Sequence, residues 1–138
     1  MSRKINCIGF SLLCAELDSL NLLYDVKTIS RSKCAVLNDS NLKLRVIAGN
    51  GEHFVVKKSF FSQLNTFFIY IWDVLDDPKF FILSIEDIKN VCGPFVFKTN
   101  FWKRNGTYHW SSATGLPKMR RKIMYDNFYE VWNRLFDF

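Results

Sequence analysis

The chain is 138 residues long, the size of one domain, and its 49% hydrophobic content with 14 Phe supplies a core without a disulfide or structural metal. Cys7, Cys14, Cys34 and Cys92 are scattered singly, with no CxxC and no His at ligand spacing. That excludes a legible zinc or redox motif and predicts free buried thiols in a reducing cytoplasm. The net charge of +6 is uneven, because from Pro94 onward Lys98, Lys103, Arg104, Lys118, Arg120, Arg121, Lys122 and Arg134 stand against only Asp126, Glu130 and Asp137.

In chain order, Ser2 to Asn21 carries Ile5, Ile8, Leu12, Leu13, Leu17 and Leu20 at spacings of three and four, which predicts a helix with one buried face. Its apolar stretch, Cys7 to Leu13, is too short and interrupted for a membrane span, and no small-residue cleavage site follows it. Leu22 to Ile29, Lys33 to Leu37 and Leu42 to Ala48 are short β-rich runs parted by turn-forming residues such as Asn38-Asp39-Ser40-Asn41, and predict a three-strand meander. Glu52 to Phe60 reads either as a strand or as the start of a loop. Thr66 to Val74 is a nearly continuous run of aromatic and β-branched residues, the pattern of a strand covered on both faces, and Lys79 to Leu83 is a second such strand. Ser84, with Asp87 three residues on, predicts the start of a helix that Gly93-Pro94 ends. Trp102 to Pro117 is rich in Gly, Ser and Thr and predicts a loop; Lys118 to Phe136 regains helical spacing through Ile123, Phe128, Val131, Trp132 and Leu135.

This order resembles the PD-(D/E)XK, or restriction-endonuclease-like, superfamily. Ala15-Glu16-Leu17 on the opening helix is similar to the first helix of those nucleases, where a Glu often faces the metal site. Asn65 to Trp72 followed by Pro78 to Ser84 is similar to small nuclease-like proteins in which a "YVFV" strand precedes a "YYIVPS" strand. Tyr129 to Leu135 resembles their closing "Y-x-x-R-W-x-x-L" helix with Arg and Trp exchanged. The resemblance implies an α/β fold with a restriction-endonuclease-like central mixed β-sheet flanked by helices, in the order α-β-β-β-β-β-α with a C-terminal helix, spanning residues 1–138.

In that superfamily an Asp on the second strand, and an acidic residue or Gln two before a Lys on the third, hold Mg²⁺ and assist the attacking water. Aligned on the family's "I-Q-V-K-T", Leu44 to Ala48 places Ile47 at the lysine position, and Lys33 to Leu37 places Ala35 at the Asp position. The resemblance therefore implies a degenerate active site with no resident metal, and a protein that binds DNA or a partner protein of a restriction, defence or DNA-processing system. A second registration stays open: Asp25-Val26-Lys27 spells D-x-K, its two charged side chains share a strand face, and with Glu16 they form a minimal Mg²⁺-dependent nuclease site.

Several further residues point to binding. Lys57-Lys58, Lys103-Arg104 and the run Lys118, Arg120, Arg121 and Lys122 are expected nucleic-acid contacts, since clustered cations attract phosphate by counterion release. The last run opens a helix, where cations oppose the helix dipole and an anion nearby would offset the cost. Trp102, Tyr108 and Trp110 lie among these cations. They are expected either to stack on bases or to anchor a protein interface, as in an inhibitor or immunity-type protein. His53 and His109 lack neighbours at ligand spacing and are expected as ordinary loop histidines. The sequence leaves the oligomeric state open, a homodimer included.

Overall fold

The computed structural model describes residues 2–29, 31–110 and 117–136. Helix α1 (Ser2–Ser19) leads into strands β1 (Tyr24–Ile29), β2 (Ser32–Leu37) and β3 (Lys43–Ala48), each antiparallel to its predecessor. Asn41 takes the left-handed backbone (φ 57°) that closes the turn between β2 and β3, a conformation Asn tolerates better than most residues. After β4 (Phe54–Lys57) and a 3-10 turn (Lys58–Ser62) come β5 (Thr66–Trp72), parallel to β3, and β6 (Lys79–Leu83), antiparallel to β5. Then follow α2 (Ile85–Cys92), a 3-10 turn (Val96–Lys98), α3 (Asn100–Asn105), β7 (Thr107–Trp110), α4 (Lys118–Asn127) and a last 3-10 turn (Trp132–Leu135). The protein is thus mixed α/β, built on a five-stranded mixed sheet in the order β1-β2-β3-β5-β6, with β4 and β7 forming a separate two-stranded ribbon.

Strand β5, an inner strand between β3 and β6, is buried along its whole length, and its alternation feeds two cores. Phe67, Ile69 and Ile71 point to one face, where Leu13 and Leu17 of α1 pack with Ala35, Leu37, Leu44 and Ile82. Phe68, Tyr70 and Trp72 point to the other, where α2, α3, α4 and the ribbon close over Phe81 and Leu83. Helix α2 begins as Ser84 and Asp87 predict: each side chain accepts the other's backbone N–H, a reciprocal cap that contributes about 1 kcal/mol.

Two segments depart from the sequence expectation. The stretch expected as a loop from Trp102 holds the end of α3 and all of β7; residues 111–116 lie outside the described residues. The expected final helix stops at Asn127. Beyond it the Phe128 carbonyl accepts from Ile82 N–H (3.1 Å) and Glu130 N–H donates to the Phe80 carbonyl (2.9 Å), so the chain binds the open edge of β6 instead of extending the helix. Those bonds satisfy strand groups that would otherwise face solvent, which outweighs one more turn of helix. The ambiguous Glu52 to Phe60 stretch is both of its alternatives in turn, strand and then 3-10 turn.

All four cysteines are free, but only Cys34 and Cys92 are buried; Cys14 is half-buried and Cys7 is exposed. Burial raises the Cys34 thiol and pushes Cys92 up to about 12, which keeps both protonated and unreactive at neutral pH. Among the described residues no helix is long and apolar enough to cross a membrane.

Candidate functional site

The sheet separates the residues of the D-x-K registration. Val26 pairs with Ala35 and shares its face with α1, so Asp25 and Lys27, one residue either side, project from the opposite face. Glu16 lies on α1, across the sheet from both. Opposite Asp25 and Lys27 stand Val36 and Cys34, not carboxylates. These three residues therefore do not fit one divalent ion. Among the described residues no three His, Cys, Asp or Glu side chains gather closely enough to hold a metal.

Ala35 and Ile47 are divided in the same way. Ala35 is fully buried beneath α1, whereas Ile47 packs on the second core. They are not two corners of one former site. The β2 residue in register with Arg45 on the second face is Cys34.

The cations fall into a clearer arrangement. No Asp or Glu occurs from His53 to Trp72 or from Ile88 to Tyr125, and the second stretch alone carries Lys89, Lys98, Lys103, Arg104, Lys118, Arg120, Arg121 and Lys122. The fold joins these two acid-free stretches: β4 pairs with β7, Lys57 lies opposite Thr107, and Lys58 N–H donates to the Gly106 carbonyl (2.8 Å) at the end of α3. Gly106 takes a left-handed φ of 68° there, which lets α3 turn directly into β7. Lys57, Lys58, Lys103 and Arg104 are all exposed on the surface so formed. Along α4 the charges are partly spent, since Arg121 binds Glu52 (2.6 Å) and Lys122 binds Asp126.

Beside this surface a cavity of about 410 Å³ opens at the carboxyl end of β3, against the ribbon face that carries Val55, Lys57 and His109. Arg45 lines it and lies over the Phe60 ring (5.4 Å), while Asn6 of α1 accepts from Ala48 N–H (2.9 Å) at its rim. His53 is buried in its wall, its ring nitrogens 3.2 Å from the Ile47 carbonyl and 3.4 Å from the Gly51 carbonyl, and burial holds the imidazole below its usual value.

The expected aromatic anchors are placed otherwise. Trp102 is 4% exposed and packs on Phe61 and Phe97, so it belongs to the core. Tyr108 and Trp110 lie opposite Val56 and Phe54 and are half-buried on the inner side of the ribbon. The outward residue between them is His109, which the sequence presents as a loop histidine. Strict alternation in Thr107-Tyr108-His109-Trp110 was the available signal for both facts, and four residues make it a weak one.

No family model matches this chain, and neither a curated protein nor a solved structure matches it.

Proposed function

We propose that this chain is a nuclease-like domain without cleavage chemistry that binds DNA through the ribbon surface of Lys57, Lys58, Lys103 and Arg104. The observation that carries this reading is the pairing of two acid-free stretches into one exposed cationic face. Counterion release from phosphate rewards such a face, and the pairing of the α4 cations Arg121 and Lys122 with Glu52 and Asp126 favours the ribbon as the stronger attraction. The element order supports the nuclease-like part: a helix, an antiparallel meander, then two further strands of the same sheet, with helices on both of its faces. The separation of Glu16 from Asp25 and Lys27 supports the absence of cleavage, and the resemblance suggests a role in restriction, defence or DNA processing. An inhibitor-type reading is left without its aromatic anchors, since Trp102, Tyr108 and Trp110 pack inward.

Fluorescence anisotropy with a short labelled duplex, titrated with salt, tests this. The affinity should fall steeply with salt, and reversing all four ribbon cations to Glu should flatten the log-log slope by roughly 3 to 4. Reversal of Arg121 and Lys122 should change it less. Salt-independent binding, or none at low salt, refutes the DNA reading. Plasmid cleavage in Mg²⁺ or Mn²⁺ that Asp25→Ala abolishes refutes the non-catalytic one.

A further inference from the structure

The two edges of the five-stranded sheet are treated differently. The β6 edge is covered by the chain itself, through Phe128, Glu130 and the Arg134 side chain, which donates to the Ile82 carbonyl (3.0 Å). The β1 edge has no strand beside it among the described residues. Asp25, Val26, Lys27 and Thr28 are all exposed, and two apolar side chains stand in solvent there, Leu23 at 73% and Val26 at 52%. Exposed aliphatic groups on an open edge are a pairing template unless something blocks them.

The ladder fixes which groups are available. Asn38 N–H donates to the Leu23 carbonyl (3.0 Å), in line with the register in which Tyr24 faces Leu37. In an antiparallel ladder the bonded residues alternate, so Leu23, Asp25, Lys27 and Ile29 turn their backbone groups toward β2. Tyr24, Val26 and Thr28 turn theirs outward.

We propose that the free edge of β1 pairs antiparallel with β1 of a second copy of this chain, about a two-fold axis through Val26. The sequence Leu23-Tyr24-Asp25-Val26-Lys27-Thr28-Ile29 is a chemical palindrome about that residue. Val26 meets Val26, Tyr24 meets Thr28 of the second copy, Asp25 meets Lys27, and Leu23 meets Ile29. Each is a favourable cross-strand combination: β-branched with β-branched, aromatic with β-branched, anion with cation, aliphatic with aliphatic. The outward backbone groups are those of Tyr24, Val26 and Thr28, so they bond across the axis while Asp25 and Lys27 fall at the closer non-bonded positions where ion pairs form best. Sliding the register by two residues either way sets Asp25 against Asp25 or Lys27 against Lys27, which the like charges oppose. The contact is isologous and closes on itself, so it yields a dimer with a ten-stranded sheet and not a fibre. Lys27 alone would serve as an edge guard; the matched Asp25 and the exposed Leu23 and Val26 are what a guard leaves unexplained.

Sedimentation equilibrium over a concentration series tests the pairing. The unmodified protein should dimerise with a Kd between ~1 µM and ~1 mM, the range of a small interface. Asp25→Lys and Lys27→Asp should each weaken the dimer by about tenfold or more, and the double variant D25K/K27D should restore it to within about threefold. Val26→Pro deletes only an outward N–H, so it should leave the β1–β2 ladder and the far-ultraviolet circular dichroism intact while abolishing dimerisation. A protein monomeric to ~1 mM, a dimer indifferent to either single reversal or to Val26→Pro, or a double variant that stays monomeric overturns the proposal. None of these residues belongs to the ribbon, so DNA affinity of the forced monomer reports separately on the functional reading.

Discussion

Arg134 binds Asp87 at 2.7 Å with the same Nη1 that donates to the Ile82 carbonyl at 3.0 Å, and its guanidinium lies 4.8 Å from the Phe67 ring centre. One side chain thereby ties the C-terminal segment to the start of α2 and to the edge of β6. Asp87 is doubly used, since the oxygen that takes Arg134 also accepts from Ser84 N–H. Both side chains are partly screened by solvent, at 31% and 20% exposed, so the pair contributes less than a buried one. Arg134→Ala should lower stability by about 1.5 kcal/mol, measured by urea unfolding. In a double-mutant cycle with Asp87→Asn, which keeps an oxygen for the cap, the coupling should be about 0.5 to 1.5 kcal/mol.

That relationship also marks where the sequence was legible. Ser84 and Asp87 announce the cap locally, and the unbroken apolar run of β5 announces a strand covered on both faces. The ribbon was not legible, because Phe54 pairs with Trp110 across more than fifty intervening residues and neither strand has length enough to show its alternation. The end of α4 was missed because tertiary pairing overrode propensity: the spacing of Phe128, Val131, Trp132 and Leu135 is helical, yet the open β6 edge recruits Phe128 and Glu130. Face assignment was the costliest gap. Ala35 and Ile47 look like the two lost positions of one site when aligned as text, but the pairing of Ala35 with Leu44 sends them to opposite cores. Acid-free runs, by contrast, survive folding, because β4–β7 pairing places the two on one surface.

Trp102 shows how composition misleads about role. An aromatic beside Lys103 and Arg104 suggests an anchor for bases or a partner, but α3 turns this ring edge-on to Phe97 (5.0 Å) while the two cations face solvent. Thr99 caps that short helix by accepting from Trp102 N–H (3.2 Å) and so helps fix the orientation. Trp102→Ala should cost about 3 to 5 kcal/mol, by lost transfer energy and the cavity it leaves. Phe101→Ala, at a side chain 55% exposed, should stay within about 0.5 kcal/mol. Chemical denaturation of the two variants separates them, and a stable Trp102→Ala protein would return Trp102 to the surface.

The imidazole of His53 sets the expected response to acid. Its two nitrogens face the Ile47 and Gly51 carbonyls, its own carbonyl accepts from Trp72 Nε1–H (2.7 Å), and the Tyr70 ring lies 6.2 Å away. Burial favours the neutral ring and is the largest influence; the two carbonyls and Asp73 favour the charged ring, and His109 opposes it. The net result is a folded-state value below the ordinary 6.5. The unfolded chain therefore takes up the proton first, so His53 contributes fully above about pH 6.5 and loses its contribution as the pH falls toward its folded value. Stability from urea titrations should decline with acid there, at up to about 1.4 kcal/mol per pH unit, and His53→Gln should flatten that part of the curve. Gly49→Ala provides the steric counterpart. A Cβ at that position would sit 2.5 Å from His53 Nδ1, so the ring must move off its carbonyls, at a cost of about 1 to 3 kcal/mol. Because the displaced ring gains access to water, the same variant should also show a shallower acid decline, whereas a purely local clash would lower the whole curve in parallel.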